Sequence, residues 1–354
     1  MKHPMYVTAD DAVKAVRTGD HIHLSSVASV PHILIEALCR RADAGEVRDL
    51  HFHHFHTEGP APYAEPRYEG IFFDQGFFIG PNVRADANAG FADYLPVHLS
   101  ESQKLYRSGA LRCDVAMVQV SLPDENGMFS LGTSVDCSLA AVESAGTVIA
   151  VVNANVPFSY GDLVRPELID YLVRYDSPLF TKDYAEPDET EKLISKNCSE
   201  LIPDGACLQM GIGALPNALA VALSDHKDLG LHTEMFADGI LRLIKKGVIN
   251  GRRKKIDTGK VVASFLLGSD EVYKFIDHNP DVLMKDIKYT NDPWVISQNP
   301  CMTAINSAIE VDFTGQICAD SIGTRMFSGT GGQVDFVRGA TMSEGGKSIT
   351  VFAS

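Results

Sequence analysis

No stretch of the 354 residues approaches the roughly 20 consecutive apolar residues that a membrane-spanning helix needs. The start, MKHPMYVTADDAVKAVRTGD, carries acidic residues where a secretory signal would be apolar, which predicts no leader. There is no CxxC pair. The seven cysteines (Cys39, Cys113, Cys137, Cys198, Cys207, Cys301 and Cys318) are scattered and odd in number. A disulfide framework is therefore not expected, and the pattern predicts reduced, mostly buried thiols in a cytoplasmic protein. Positive charge is scarce: 31 Lys and Arg stand against 46 Asp and Glu, a net charge of −15. That speaks against a nucleic-acid binder, which needs a basic face. The one basic run, GRRKK from Gly251 to Lys255, reads as a turn, either a solvated loop or a contact with a small phosphorylated ligand.

Hydrophobic residues make up 45% of the chain, enough for real cores, and the length fits two domains. The chain also repeats itself. GDHIHLSSVASVPHILIEAL (19–38) and GACLQMGIGALPNALAVAL (205–223) each read as strand, small-residue loop, and a helix opened by proline. Each runs on to a second strand that ends in the tripeptide HTE, once at His56–Glu58 and once at His232–Glu234. A weaker echo links LPDENGMFSLGTSVD (122–136) with VDFTGQICADSIGTR (311–325), Gly127 and Gly315 falling in turns. GTVIAVVN (146–153) parallels GKSITVFAS (346–354). The simplest reading is an α/β protein of two pseudo-repeated open domains with mostly parallel sheets. YAEPDETEK (184–192) is charged and lacks an apolar period, which places the domains at 1–185 and 186–354.

Ligands of open parallel sheets sit beyond the carboxyl ends of the strands, where both HTE tripeptides fall. GIGALP (211–216) joins a strand to a helix, so its amides can face an anion or an oxyanion; a plain tight turn is the alternative. It is neither a GxGxxG nor a Walker loop. SGTGGQVDF (328–336) is a second glycine-rich loop, one that lets backbone approach a ligand or is merely flexible. Glu58 is followed by GPAP, and its repeat has SSVASVP where the other has GIGALP. Glu234 shares its domain with both glycine loops and is therefore the favoured site residue. HFHHFH (51–56) invites a metal assignment. Alternation along a strand splits its histidines between two faces, so any metal would need further ligands from elsewhere.

With these motifs in place the chain resembles the class I CoA-transferases, in the branch that holds acetyl-CoA hydrolase/transferase and 4-hydroxybutyrate or butyryl-CoA:acetate CoA-transferases. The resemblance spans nearly the whole chain. It is carried by GIGALPNAL, LHTEMFADG, GKVVASFLLGSDEVYKFIDHNP (259–280), INSAIEVDFTGQICADSIGTR and SGTGGQVDFVRGA. FFIGPNVRADANAGFADYLPVHLSE (77–101) and DENGMFSLGTSVD carry it in the first domain. It implies that Glu234 is the catalytic glutamate and that Asn306 orients its carboxylate by a hydrogen bond. It also makes the backbone around Ile212 and Gly213, and the Gly331–Gly332 loop, candidate oxyanion donors. Gly211, Gly213, Gly331 and Gln333 are the implied CoA-binding positions, and SSVASVP would help wall the acyl pocket. No metal or organic cofactor is implied, since CoA is a substrate. The implied partners are acyl-CoA and small carboxylates, and the implied assembly is a homo-oligomer.

Family members usually run on past SITVFAS, so the second domain is expected to be truncated at its C-terminus. Three functions are open at this point. The first is transfer of CoA from a short-chain acyl-CoA (acetyl, butyryl or 4-hydroxybutyryl) to a carboxylic acid such as acetate, with acyl-CoA hydrolysis by the same glutamate as its near variant. The second is non-catalytic CoA binding. The third, a nucleotide-dependent oxidoreductase, rests on GIGALP alone.

Overall fold

The computed structural model describes residues 4–352. Two sheets dominate, and every strand pairing within them is parallel. In chain order the strands of the first half are β1 (Met5–Tyr6), β2 (His21–Leu24), β3 (Leu50–His54), β4 (Phe72–Gly76), β5 (Ala92–Tyr94), β6 (Val115–Val120), β7 (Thr147–Val152), β8 (Tyr160–Gly161) and β9 (Tyr171–Arg174). Those of the second half are β10 (Cys207–Met210), β11 (Gly230–His232), β12 (Val261–Ala263), β13 (Val282–Met284), β14 (Met302–Ser307) and β15 (Lys347–Val351). The first sheet has the order β1-β9-β7-β6-β2-β3-β4-β5 and the second β15-β14-β10-β11-β12-β13-β8. The helices that matter below are α1 (Leu99–Arg107), α2 (Ala214–Ala222), α3 (Pro293–Ser297) and α4 (Gln333–Met342).

The run β7-β6-β2-β3-β4-β5 in one sheet corresponds to β15-β14-β10-β11-β12-β13 in the other. The repeat seen in the sequence is thus a repeat of topology. It extends to single hydrogen bonds. In the first copy Asp124 N donates to Met128 O at 2.9 Å and Gly127 N to Asp124 O at 3.0 Å; in the second, Asp312 N donates to Gln316 O and Gly315 N to Asp312 O, both at 3.0 Å. Gly127 and Gly315 both take the left-handed conformation this turn needs, at φ 76° and 87°.

The two halves are not separate along the chain. β8, from the first half, forms the outer edge of the second sheet, with Leu283 opposite Tyr160. Gly161 is required there, because a side chain on it would overlap the Met284 backbone. Phe55, beyond β3, packs on Phe265 with ring centroids 5.0 Å apart. One continuous apolar core joins Val118, Ala150 and Val152 of the first sheet to Leu208, Leu231 and Val282 of the second.

In each sheet the chain leaves the central strand (β2 or β10), moves outward in one direction, and returns on the other side. The reversal lies between β2 and β6, and between β10 and β14, which is where such sheets open a crevice.

Candidate active site

GIGALP occupies the second of these crevices. Gly211–Gly213 link β10 to α2, with Gly213 at the helix N-cap and φ 121°. A cavity of about 180 Å³ lies here, between the ends of β10, β14 and β15, bordered by Gly211, Ile212, Pro216, Asn306 and Val351 among others. Among the described residues the N–H groups of Gly211, Ile212 and Gly213 donate to no protein acceptor. Free amides at the mouth of a parallel sheet can receive an anion.

The equivalent loop of the first copy is built differently. There Ser25 N donates to Met117 O at 3.0 Å, Val27 N to His56 O at 2.8 Å, and Ser29 N to Ser26 O at 3.0 Å. Val27 takes φ 56°, a costly conformation for a β-branched residue, and bridges to Thr57. SSVASVP therefore spends these amides on β6, on its own HTE segment and on itself.

The two glutamates diverge in the same way. Glu58 is buried and lies 3.5 Å from His56 Nε2 and 3.2 Å from Lys182 Nζ. Burial pushes its carboxyl up, but the hydrogen bonds and charges of His56 and Lys182 outweigh that and hold it below the usual value. Glu234 lies two residues past the end of β11 and has no ion pair among the described residues. Protein atoms enclose its carboxyl, although the residue as a whole keeps partial solvent contact. That enclosure pushes its pKa from 4.5 up to about 7; the Asn291 amide opposes the rise and the Asp335 charge adds to it.

The carboxylate is held by Asn291, whose Nδ2 donates to Glu234 Oε2 at 2.9 Å and lies 3.4 Å from Asp335 Oδ2. Asp335 belongs to α4, which Gly332 caps. Asp335 is fixed in turn from the first half, accepting from Ser100 N at 2.9 Å and Ser100 Oγ at 2.7 Å. A polar chain thus crosses between the halves, from Ser100 through Asp335 and Asn291 to Glu234.

SGTGGQVDF brings Gly332 against the same carboxylate. A Cβ at Gly332 would overlap both Glu234 Oε2 and Asn291 Nδ2, so any other residue there would have to push that carboxylate and amide aside. The N–H groups of Gly331 and Gly332 have no protein acceptor among the described residues. The first half clasps this loop: Ile79 N donates to Ser328 O at 2.8 Å, Leu99 N to Gly331 O at 3.1 Å, and Thr330 N to Tyr94 Oη at 2.9 Å. Gly331, at φ 52°, faces the Phe78 ring.

One expectation needs correcting. Asn306 is not the partner of Glu234. It sits on β14 and exchanges bonds with Gln209, its Nδ2 donating to Gln209 Oε1 at 3.3 Å and its Oδ1 accepting from Gln209 Nε2 at 3.4 Å. Its strand lies on the far side of β10 from β11, so its amide turns to its neighbour on β10. Gln333 opens α4 next to Gly332 and makes no side-chain hydrogen bond among the described residues.

Other motifs are accounted for by packing. His54 Nε2 pairs with Asp74 Oδ1 at 2.6 Å, His53 Nε2 meets His21 Nδ1 at 2.9 Å, and His51 stacks on His21 with centroids 4.5 Å apart. Burial pushes His53 down to about 3, so it is neutral. Among the described residues no group of three or more His, Cys, Asp or Glu is placed to hold a metal ion, and no helix is long and apolar enough to cross a membrane. Within GRRKK, Lys254 is buried rather than solvated, and its Nζ donates to Leu231 O at 3.0 Å and Lys260 O at 2.9 Å.

The family model described as the acetyl-CoA hydrolase/transferase N-terminal domain matches residues 4–178, and that of the C-terminal domain matches residues 268–354. Glu234 and GIGALP lie between the two matched segments. The 4-hydroxybutyrate coenzyme A transferase of Clostridium kluyveri is 40% identical over 349 residues, covering 98% of this chain and 81% of that protein. RipA from Yersinia pestis has a similar structure, with a TM-score of 0.90 and 31% identity over 98% of this chain and 80% of that one. The 4-hydroxybutyrate CoA-transferase of Porphyromonas gingivalis has a TM-score of 0.85 and 35% identity over 98% of this chain and 81% of that one.

Two measurements check this geometry without any assay of turnover. In a carboxyl ¹³C NMR titration Glu234 should titrate near 7. Asn291→Ala should raise that value, because the opposing hydrogen bond is gone, while Asn306→Ala should leave it in place. The reverse pattern would restore Asn306 as the partner. The second measurement is thermal unfolding. A folded-state value of about 7 against 4.5 unfolded means that ionising Glu234 costs stability, fully above pH 7 and not at all below about pH 4.5. Glu234→Gln should therefore be more stable than the natural protein at pH 8, by roughly 3 kcal/mol at most. The difference should vanish as pH falls through 7 to 4.5; a pH-independent difference would contradict the enclosed carboxyl.

Proposed function

The chain belongs to the acetyl-CoA hydrolase/transferase family, and from that premise we propose that it is a CoA-transferase whose covalent nucleophile is Glu234. It moves CoA between a short-chain acyl-CoA, such as acetyl-, butyryl- or 4-hydroxybutyryl-CoA, and a carboxylic acid such as acetate. The observation that carries this reading is a carboxylate without a cationic partner, enclosed beside the Gly331–Gly332 loop whose amides are free, with the free amides of GIGALP at the end of the neighbouring strand β10.

The chemistry follows from that arrangement. A Glu234 oxygen attacks the acyl carbonyl of the thioester, the tetrahedral oxyanion collapses, and CoA thiolate leaves, giving a mixed anhydride. The thiolate then attacks the glutamyl carbonyl, the acyl group departs as its free carboxylate, and a glutamyl-CoA thioester remains. An incoming carboxylate reverses both steps, taking the CoA and freeing Glu234. Every step passes through an oxyanion. The unpaired N–H groups of Ile212, Gly213, Gly331 and Gly332 are the candidates to receive it. Asn291 holds one carboxylate oxygen and so directs the other at the thioester. A carboxylate tied to Lys or Arg would be a poorer nucleophile, which is the condition of Glu58.

The enclosure makes the nucleophile pH-dependent. Glu234 must be ionised to attack, so kcat/KM for acyl-CoA should fall about tenfold per pH unit below 7 and level off above it. Gly332→Ala forces the carboxylate aside and should lower turnover by at least about 10². The decisive assay follows thiol release and acyl exchange from acetyl-CoA with and without an added carboxylate. Exchange that requires the carboxylate and disappears in Glu234→Gln is expected. Free CoA released at the same rate without any carboxylate would make the protein a hydrolase. CoA binding with no turnover under either condition would make it a binding protein.

A further inference from the structure

A large cavity lies outside the cluster of loops at Glu234. It is a groove of about 760 Å³ between α1, α3 and α4, within the size range of small-ligand sites. Trp294, the only tryptophan of the chain, stands in it 67% exposed, with no ring or cation partner among the described residues. Two cations flank it. Among the described residues neither the Lys288 ammonium nor the Arg338 guanidinium has an ion pair or hydrogen bond.

The groove's carboxylates are already engaged. Glu101 pairs with Lys104 at 2.8 Å, Asp292 accepts from Trp294 N at 2.7 Å, and Asp335 accepts from Ser100. Arg107 is likewise taken, by Glu143 and Asp286. Hydrogen bonds from Trp294 N and Ser100 do not cancel the charges of Asp292 and Asp335, so the groove carries both signs, with Lys288 and Arg338 its lining cations left without a partner among the described residues. An unstacked indole beside two unpaired cations matches a planar base carrying phosphates.

We propose that this groove binds a nucleotide, its base stacked on Trp294 and its phosphates held by Lys288 and Arg338. Asp335 forms part of the groove wall and touches Asn291, so an occupant sits one residue removed from the partner of Glu234. If the nucleotide is the adenosine end of CoA itself, an identification that rests on the transferase reading, the groove is an extension of the active site. If it is a free nucleotide, the groove is a separate site.

Because Trp294 is the only tryptophan, its fluorescence reports the groove directly. The test titrates the whole protein with adenosine 3′,5′-bisphosphate, ADP, CoA and phosphopantetheine. Saturable quenching by at least one nucleotide, none by phosphopantetheine, and a roughly tenfold weaker affinity in the double variant Lys288→Ala/Arg338→Ala are expected. Competitive displacement of the bisphosphate by CoA identifies the nucleotide as that of CoA, and the double variant then raises KM for acetyl-CoA with kcat unchanged. CoA bound without displacement identifies a free nucleotide. Three results overturn the proposal: no saturable quenching by any nucleotide, equal quenching in the double variant, or a Trp294 that acrylamide cannot reach because a second copy covers it. Glu234→Gln should keep the quenching whatever its turnover, so a failure of the transferase reading is read separately.

Discussion

A carboxylate pressed against backbone, with one amide for a partner and no cation, is the constraint around which this protein is arranged. Glu234 meets Asn291 at 2.9 Å and approaches Gly332 so closely that a Cβ there would have to displace the carboxylate. An acid in that position prefers to be neutral, and its value near 7 is the consequence. The fold holds it there against that preference. Ser100 of the first half fixes Asp335, which in turn meets Asn291, and Ile79, Tyr94 and Leu99, also of the first half, fix the glycine loop. The first half thus acts as a clamp on the carboxylate that the second half carries.

Duplication explains how such a site can arise. Two copies of one parallel unit give two strand ends with HTE and two loops facing them. In the first copy the Val27 amide closes the loop onto its own tripeptide, and His56 and Lys182 flank Glu58. In the second, glycine leaves the amides unpaired and the glutamate without a countercharge. A carboxylate with a cationic neighbour and one without thus occupy equivalent places, and the local residues decide which is which.

Much of this was legible in the residues. Period and punctuation revealed the repeat, and GIGALP and SGTGG were readable because glycine is needed where backbone must approach another group. The choice of Glu234 over Glu58 also followed from local context. Asn291 was not legible. It precedes DPW, a proline-led helix start, and reaches Glu234, 57 positions away in sequence, only because α3 is folded back on α4. Asn306 is the asparagine that the family resemblance pointed to, but sheet order sets it across β10, where Gln209 takes its amide. The crossing of Tyr160–Gly161 into the second sheet left no pattern either, since two residues carry no period. Clasping contacts from Tyr94 and Ser100 depend on how the halves dock, which neither half encodes alone.

The central claim is that Glu234 carries the CoA. Incubating the protein with acetyl-CoA, trapping the adduct with borohydride or hydroxylamine, and mapping it by mass spectrometry tests this most directly. The account predicts a modification on Glu234 alone, still formed in Glu58→Ala and absent in Glu234→Gln. Active turnover with Glu234 unmodified, or a label on Glu58, would contradict it.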